Sequence, residues 1–157
     1  MFDVPIDSWH TWIGVAIVSV LAFATVASLP TAPPPDAASV ADAVDRTASS
    51  QHDATAEIPI DAGQLRIGAN RIGLRSDGGT AHAALTYGPV VPVGEDPRLQ
   101  AVLRGSAPSA AFDSLAGLRE ASEDARTDRL LWRPVEGHLL VRHFVWKGVD
   151  VTLVGQR

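Results

Sequence analysis

Cysteine is absent from the 157 residues, which excludes disulfides and thiolate metal sites and leaves the redox compartment unread. Lysine occurs once, at Lys147, beside Gly148 in a turn signal, where a desolvated catalytic amine has no place. The single asparagine, Asn70, precedes Arg71-Ile72 and makes no glycosylation acceptor. No run of basic residues exists anywhere, and the formal charge is −5. A chain without a basic stripe cannot neutralise a phosphate backbone, so nucleic acid is excluded as an expected partner, and anionic lipid is disfavoured as well.

The most conspicuous absence is local. Between Asp7 and Asp36 the chain has no Asp, Glu, Lys or Arg. Inside that gap lies an apolar stretch from Trp9 to Leu29, 21 residues, about 30 Å as a helix, the thickness of a bilayer's hydrocarbon core. The expectation is a single transmembrane helix over 9–29, with Trp9 and Trp12 in an interfacial aromatic belt. A secretory signal peptide fits less well: the first eight residues carry Asp3 and Asp7 and no basic residue. Orientation is weakly encoded, because neither flank is basic until Arg46.

The chain thus divides into a short flank over 1–8, the span, a proline-rich linker over 30–35 (Leu29-Pro30-Thr31-Ala32-Pro33-Pro34-Pro35) and a single domain over 36–157. Prolines stop the helix and favour a stiff spacer. The 122 residues left after removing the first 35 suffice for one core and not for two. Asp36 is placed to cap a helix over about 37–50, with Ala37, Val40, Ala41, Val44 and Ala48 at helical spacing. Gln64 to Gly68 and Arg71 to Arg75 read as short strands, Ser76-Asp77-Gly78-Gly79 as a turn, and Thr80 to Val93 as a strand leaving its sheet near Pro89. Asp96-Pro97 and Gly105 bracket a short helix. Ser109 is taken as the cap of a longer helix to about Arg126, with Phe112, Leu115, Leu118 and Ala125 along its buried line. Leu139 to Trp146 and Val149 to Val154 form a hairpin about Lys147-Gly148. In that register Trp146 faces Val149, Phe144 faces Val151 and Arg142 faces Leu153, while His143 meets Thr152 and Val145 meets Asp150 on the other face. The fold expected is α+β: a transmembrane helix, a proline linker, and a small, mostly antiparallel sheet with two or three packed helices.

No catalytic, cofactor-binding or metal-binding residue is assigned. His138 and His143 are five apart and point to opposite faces of one strand, and His10, His52 and His82 stand alone. Gly105-Ser106 lacks the context of a nucleophile elbow. Glu120, Glu123 and Asp124 read as a solvated helix face. Trp132, Phe144 and Trp146 read as core and rim aromatics. The chain is therefore read as non-enzymatic, without a cofactor.

Aspartate (13) outnumbers glutamate (5) and arginine (12) outnumbers lysine (1), a composition that resembles proteins of salt-loving organisms. Phe2-Asp3-Val4-Pro5, the apolar stretch, Leu29 to Asp36, Gly78-Gly79-Thr80-Ala81, Tyr87-Gly88-Pro89-Val90 and Gly148 to Val154 together resemble a family of membrane-anchored haloarchaeal proteins of unknown function. Its members resemble accessory proteins encoded among type IV pilus-like or type II secretion-like components. The resemblance implies no site residue. Two departures from a pilin precursor, the missing basic cleavage site and the missing early acidic residue in the apolar helix, point to an accessory subunit and not a polymerising one. The reading is thus a single-pass cell-membrane protein anchored through 9–29, with 36–157 extracytoplasmic and in contact with other membrane or envelope proteins. The alternative is a membrane-tethered domain that binds a small ligand in a pocket between the sheet and the 109–126 helix.

Overall fold

The computed structural model describes residues 8–27, 32–128, 131–135 and 137–157. The N-terminal flank and the start of the proline linker, residues 1–7 and 28–31, lie outside the described residues. Two compact units emerge, Met1–Ala32 and Pro33–Arg157.

Helix α1 (Ser8–Ala27) belongs to the first unit. Among the described residues no helix is long and apolar enough to cross a membrane, which overturns the expected transmembrane helix over 9–29. The physical reason lies in the composition of its ends. Ser8 to Trp12 contribute hydroxyl, imidazole and indole groups, and the aliphatic stretch begins only at Ile13. From Ile13 to Ala27 the helix rises about 22 Å, short of the roughly 30 Å of a hydrocarbon core, and Gly14, Ser19 and Thr25 interrupt it.

The second unit is α+β. Its elements are α2 (Ala37–Ala48), β1 (Ala54–Pro59), β2 (Gln64–Ile67), β3 (Arg71–Ser76), β4 (Gly79–Ala84), β5 (Val91–Pro92), α3 (Pro97–Leu103), α4 (Pro108–Ala111), α5 (Leu115–Thr127), β6 (Arg133–Pro134), β7 (His138–Trp146) and β8 (Val149–Gln156). Helix starts follow their caps. The Asp36 carboxylate accepts the Ser39 N–H, Asp96 accepts those of Arg98 and Leu99 ahead of Pro97 at the first helical position, and Ser114 accepts that of Gly117.

The strands form two four-stranded sheets where the sequence suggested one, in the orders β1-β7-β8-β5 and β4-β3-β2-β6. Every pairing is antiparallel except β5 with β8. The β7–β8 register is the one expected: Trp146 opposite Val149, Phe144 opposite Val151, Arg142 opposite Leu153, His143 opposite Thr152. The expected strand over 80–93 is instead two. β4 pairs with β3, and after Pro89 the chain crosses to the other sheet, where Val91 meets Leu153. The expected helix over 109–126 is broken as well. Phe112 is extended, and α5 restarts at its own cap, Ser114. β1 and β6 were not anticipated.

The first sheet is buried on both faces, which is why β7 and β8 are apolar at successive positions and not only at alternate ones. Leu139, Val141 and Val154 lie in one core with Val40 and Val44 of α2 and Leu65, Ile72 and Leu74 of the second sheet. Leu140, Phe144, Val151 and Leu153 lie in another with Leu99, Val102 and Leu103 of α3 and Leu118 and Ala121 of α5. The first sheet therefore separates two layers: α2 with the second sheet on one side, α3 and α5 on the other.

Two side chains tie loops to this frame. Asp45 on α2 accepts the N–H groups of Thr86 and Tyr87 at 2.9 and 3.0 Å. Arg126 on α5 donates to the carbonyls of Pro89 and Val90 at 3.2 and 3.3 Å. Burial pushes the Arg126 guanidinium below its ordinary range, and nearby Glu123 partly restores it.

Candidate functional site

Three places on the Pro33–Arg157 unit combine polar chemistry with a shaped surface. The first is an open groove of about 980 Å³ between α5, α3 and the edges of both sheets. The floor is apolar, from Leu65 and Ile67 of β2, Pro92 and Val93 beside β5, and Leu99 of α3. The rim carries both signs: Glu95, Asp96, Asp124 and Asp128 against Arg104, Arg133 and Arg157. Arg133 reaches it because β6 alternates. Arg133 pairs with inward-facing Leu65, so its side chain turns to the inner side of the sheet. Arg157 is engaged with Glu57 at 2.9 Å. Burial pushes the Asp96 carboxyl up, but hydrogen bonds from the Arg98 side chain and from the N–H groups of Arg98 and Leu99 outweigh it and hold the group below its ordinary value.

The second place is the outer face of the second sheet. Residues paired across β2, β3 and β4 fall in rows, Gln64–Arg75–Thr80 and Arg66–Gly73–His82, with Arg71 beside Ala84. The opposite side of the same strands carries Leu65, Ile72 and Leu74 into the core, so these rows face out. Trp132, one residue before β6, lies across them. The Arg75 guanidinium carbon is 4.3 Å from the centre of its ring, that of Arg66 is 5.0 Å, and the His82 ring centre is 5.9 Å away. Gly73 makes room for it: a Cβ there would lie 3.0 Å from Trp132 Cη2 and 2.7 Å from His82 Nδ1. Arg75 also donates to Gln64 Oε1 and Thr80 Oγ1, each at 3.3 Å. Among the described residues Arg66, Arg71 and Arg75 form no ion pair.

The third is His143, 3% exposed. Its Nδ1 shares a hydrogen bond with Thr152 Oγ1 at 3.0 Å. Its Nε2 is buried without a hydrogen-bond partner, and the nearest carboxylate oxygen, Asp150 Oδ1, is 3.9 Å away. This is one isolated imidazole in a sheet layer, not a cluster.

The remaining candidates stay apart. His52 lies in the loop before β1, His82 on the outer face of the second sheet and His138 at the exposed start of β7. The side chain of His10 is outside the described residues. Among the described residues no three His, Asp or Glu side chains converge as metal ligands. Lys147 occupies the hairpin turn with φ 50°, its amine 5.2 Å from the centre of the Trp146 ring. The Ser106 carbonyl accepts a hydrogen bond from Arg142 Nη1 at 2.8 Å, fixing the turn after α3. Glu120, Glu123 and Asp124 are exposed on α5. Trp132 is the residue whose role the sequence does not reveal. A tryptophan beside arginine in a loop carries no motif, and only the sheet register brings Arg66 and Arg75 to it.

The chain belongs to DUF7283, a family of unknown function whose profile matches residues 3–144. Neither the curated proteins nor the solved structures contain a match to it.

Proposed function

We propose that the chain is a non-enzymatic accessory or structural component of a cell-envelope assembly of the pilus-like or secretion-like kind, of haloarchaeal origin, with the 36–157 domain outside the cytoplasm. The observation that carries this reading is α1. Every described side chain from Trp12 to Phe23 is exposed, and large apolar residues stand on all sides of that stretch, with Val15, Val18 and Phe23 at 54%, 65% and 77% exposure. A helical stretch that exposes apolar side chains on every side needs an apolar partner, and a helix of a neighbouring protein supplies one. The haloarchaeal assignment rests on the Asp- and Arg-rich composition and the resemblance described above.

The test is co-purification. After gentle cross-linking in cells, a C-terminally tagged chain is expected to bring down discrete envelope proteins, and Val15→Asp with Val18→Asp is expected to release them. Recovery only as a free monomer counts against the reading. Protease added to intact cells is expected to remove the tag while a cytoplasmic control survives; a protected tag contradicts the extracytoplasmic assignment.

The groove favours a second reading, a domain that binds a small polar ligand. An apolar floor with convergent charges of both signs is the usual make-up of such a site. A ligand-dependent rise in melting temperature that Arg133→Glu abolishes supports it. No shift across amino acids, sugars and nucleotides counts against it.

A further inference from the structure

The geometry points to the outer face of the second sheet as a docking surface for the acidic face of α5 on a second copy of this chain, joined head to tail. The inference concerns surfaces of the Pro33–Arg157 unit alone and does not depend on α1.

The receiving face is built and not merely charged. Trp132 seats on Gly73 and holds the Arg66 and Arg75 guanidinium groups within 5.0 and 4.3 Å of its ring centre. Arg75 donates from Nε to Thr80 Oγ1 and from Nη1 to Gln64 Oε1, which leaves its Nη2 group to meet a carboxylate, and Arg66 brings a second guanidinium to the same ring. Stacking also fixes the side chain beforehand, so less rotamer entropy is lost on binding. The outward positions of β2, β3 and β4 hold Gln64, Arg66, Arg71, Gly73, Arg75, Thr80, His82 and Ala84, without a carboxylate. On a chain of net charge −5 this is a local reversal of sign.

The matching surface is α5. Glu120, Glu123 and Asp124 are exposed, and the last two lie three and four residues beyond Glu120, which gathers them on one face. Glu120 acts on Arg98, and Glu123 on Arg126, through space, and among the described residues neither carboxylate is in an ion pair. The rows of arginine and the acidic helix sit on opposite sides of the first sheet, because the second sheet packs in one core and α5 in the other. One copy therefore cannot make both contacts with the same partner. The contact is heterologous and propagates from copy to copy, as a ring or an open row. Other polyanions share the carboxylate's charge. The second copy is favoured because its three carboxylates are preset on a rigid helix.

The experiment uses the full chain in a mild non-ionic detergent that keeps α1 dispersed, at constant salt, by sedimentation velocity. Two variants are made, Arg66→Gln with Arg75→Gln, and Glu120→Gln with Glu123→Gln. Arg75, Glu120 and Glu123 are exposed and Arg66 is half-buried, and circular dichroism verifies the fold of each variant. The wild type is expected to associate with concentration. Each variant alone is expected to be monomeric, with apparent affinity at least tenfold weaker. Their equimolar mixture is expected to form a 1:1 dimer and stop, since one intact junction remains. A monomeric wild type overturns the proposal, as does a variant that associates like wild type or a mixture that stays monomeric. A monomeric wild type that binds added polyglutamate or RNA assigns the face to that polyanion and likewise overturns self-association. Failure here leaves the α1 reading standing, because its test is capture of other proteins and is blocked by substitutions in α1.

Discussion

Replacing Gly155 by alanine tests the seam where α3 lies on β8. A methyl group there would sit 2.8 Å from Leu103 Cδ2, 3.0 Å from Val93 Cβ and 3.2 Å from the Val93 carbonyl oxygen. Carbon atoms at rest in a core are about 3.5–4.0 Å apart, so the methyl overlaps two neighbours by roughly half an ångström or more. Neither neighbour is free to retreat. Leu103 is 2% exposed and packed among Leu99, Val102 and Leu153, and Val93 is held by its N–H donating to the Val154 carbonyl at 2.7 Å. Overpacking of this kind costs about 1–3 kcal/mol, or about 3–15 °C in melting temperature for a domain of this size. Urea unfolding followed by far-ultraviolet circular dichroism is the assay, with the midpoint expected to fall and the slope to hold. A second arm separates the clash from other causes. With Leu103→Ala in the same chain, the two losses are expected to sum to less than their separate values by about 0.5–3 kcal/mol, since the shortened side chain admits the methyl. A Gly155→Ala chain that unfolds with the wild type, or strictly additive losses in the pair, refutes the reasoning that this seam is closed by atoms in contact.

Asp45→Ala removes the acceptor of two backbone N–H groups and is expected to cost about 1 kcal/mol, with faster amide exchange confined to Thr86 and Tyr87 as the diagnostic reading. Asp96→Ala removes the α3 cap and is expected to cost about 1 kcal/mol at neutral pH. Because the folded pKa of Asp96 is depressed, its contribution is present above the unfolded value of about 3.9 and is lost as pH falls through the lower folded value. Asp96→Asn is therefore expected to flatten the acid limb of a stability–pH curve below about pH 4, and an unchanged limb contradicts this. Thr152→Val leaves both nitrogens of buried His143 without a partner and is expected to cost about 1–3 kcal/mol, whereas His143→Phe with Thr152→Val, which removes the polar groups together, is expected to recover most of it; equal losses in the two chains argue against the Thr152 hydrogen bond.

Local chemistry makes much of the Pro33–Arg157 unit legible. Asp36, Asp96 before Pro97, and the Lys147-Gly148 turn each act within four residues, so their helices and hairpin are readable from short windows. The sorting of β7 and β8 into a core face and an outer face is only half right. The register is as expected, yet His143, Val141 and Val154 are as buried as Phe144, because a second layer covers the far side. β1 escapes a sequence reading since Ala54 to Pro59 carries neither a run of β-branched residues nor a turn signal; it forms because β7 offers a partner over six consecutive positions, a cause that lies roughly eighty residues away along the chain. The break at Phe112 is hidden for a related reason. Ser109 and Ser114 are both plausible caps, and the apolar spacing runs through the gap; Phe112 is drawn into the α3 side of the core at 4% exposure, and the helix restarts behind it.

Charge shows the same limit from the other direction. A net value of −5 argues against any anionic partner, and as an average the argument is sound. Averages do not survive a pleat. The spacing of four between Arg71 and Arg75 puts those two on one face of β3, but the spacing of five between Arg66 and Arg71 would put them on opposite faces of a single strand. Across a hairpin whose register sets Arg66 opposite Gly73 and Gln64 opposite Arg75, the same three fall on one surface. The repeated Arg66-Ile67-Gly68 and Arg71-Ile72-Gly73 carries that signal: with isoleucine inward on both strands, arginine must point outward on both. No short window contains Trp132, which arrives from the far end of the chain to turn separate cations into a stacked group. The partner of such a face is set by where the carboxylates stand and not by how many the chain holds.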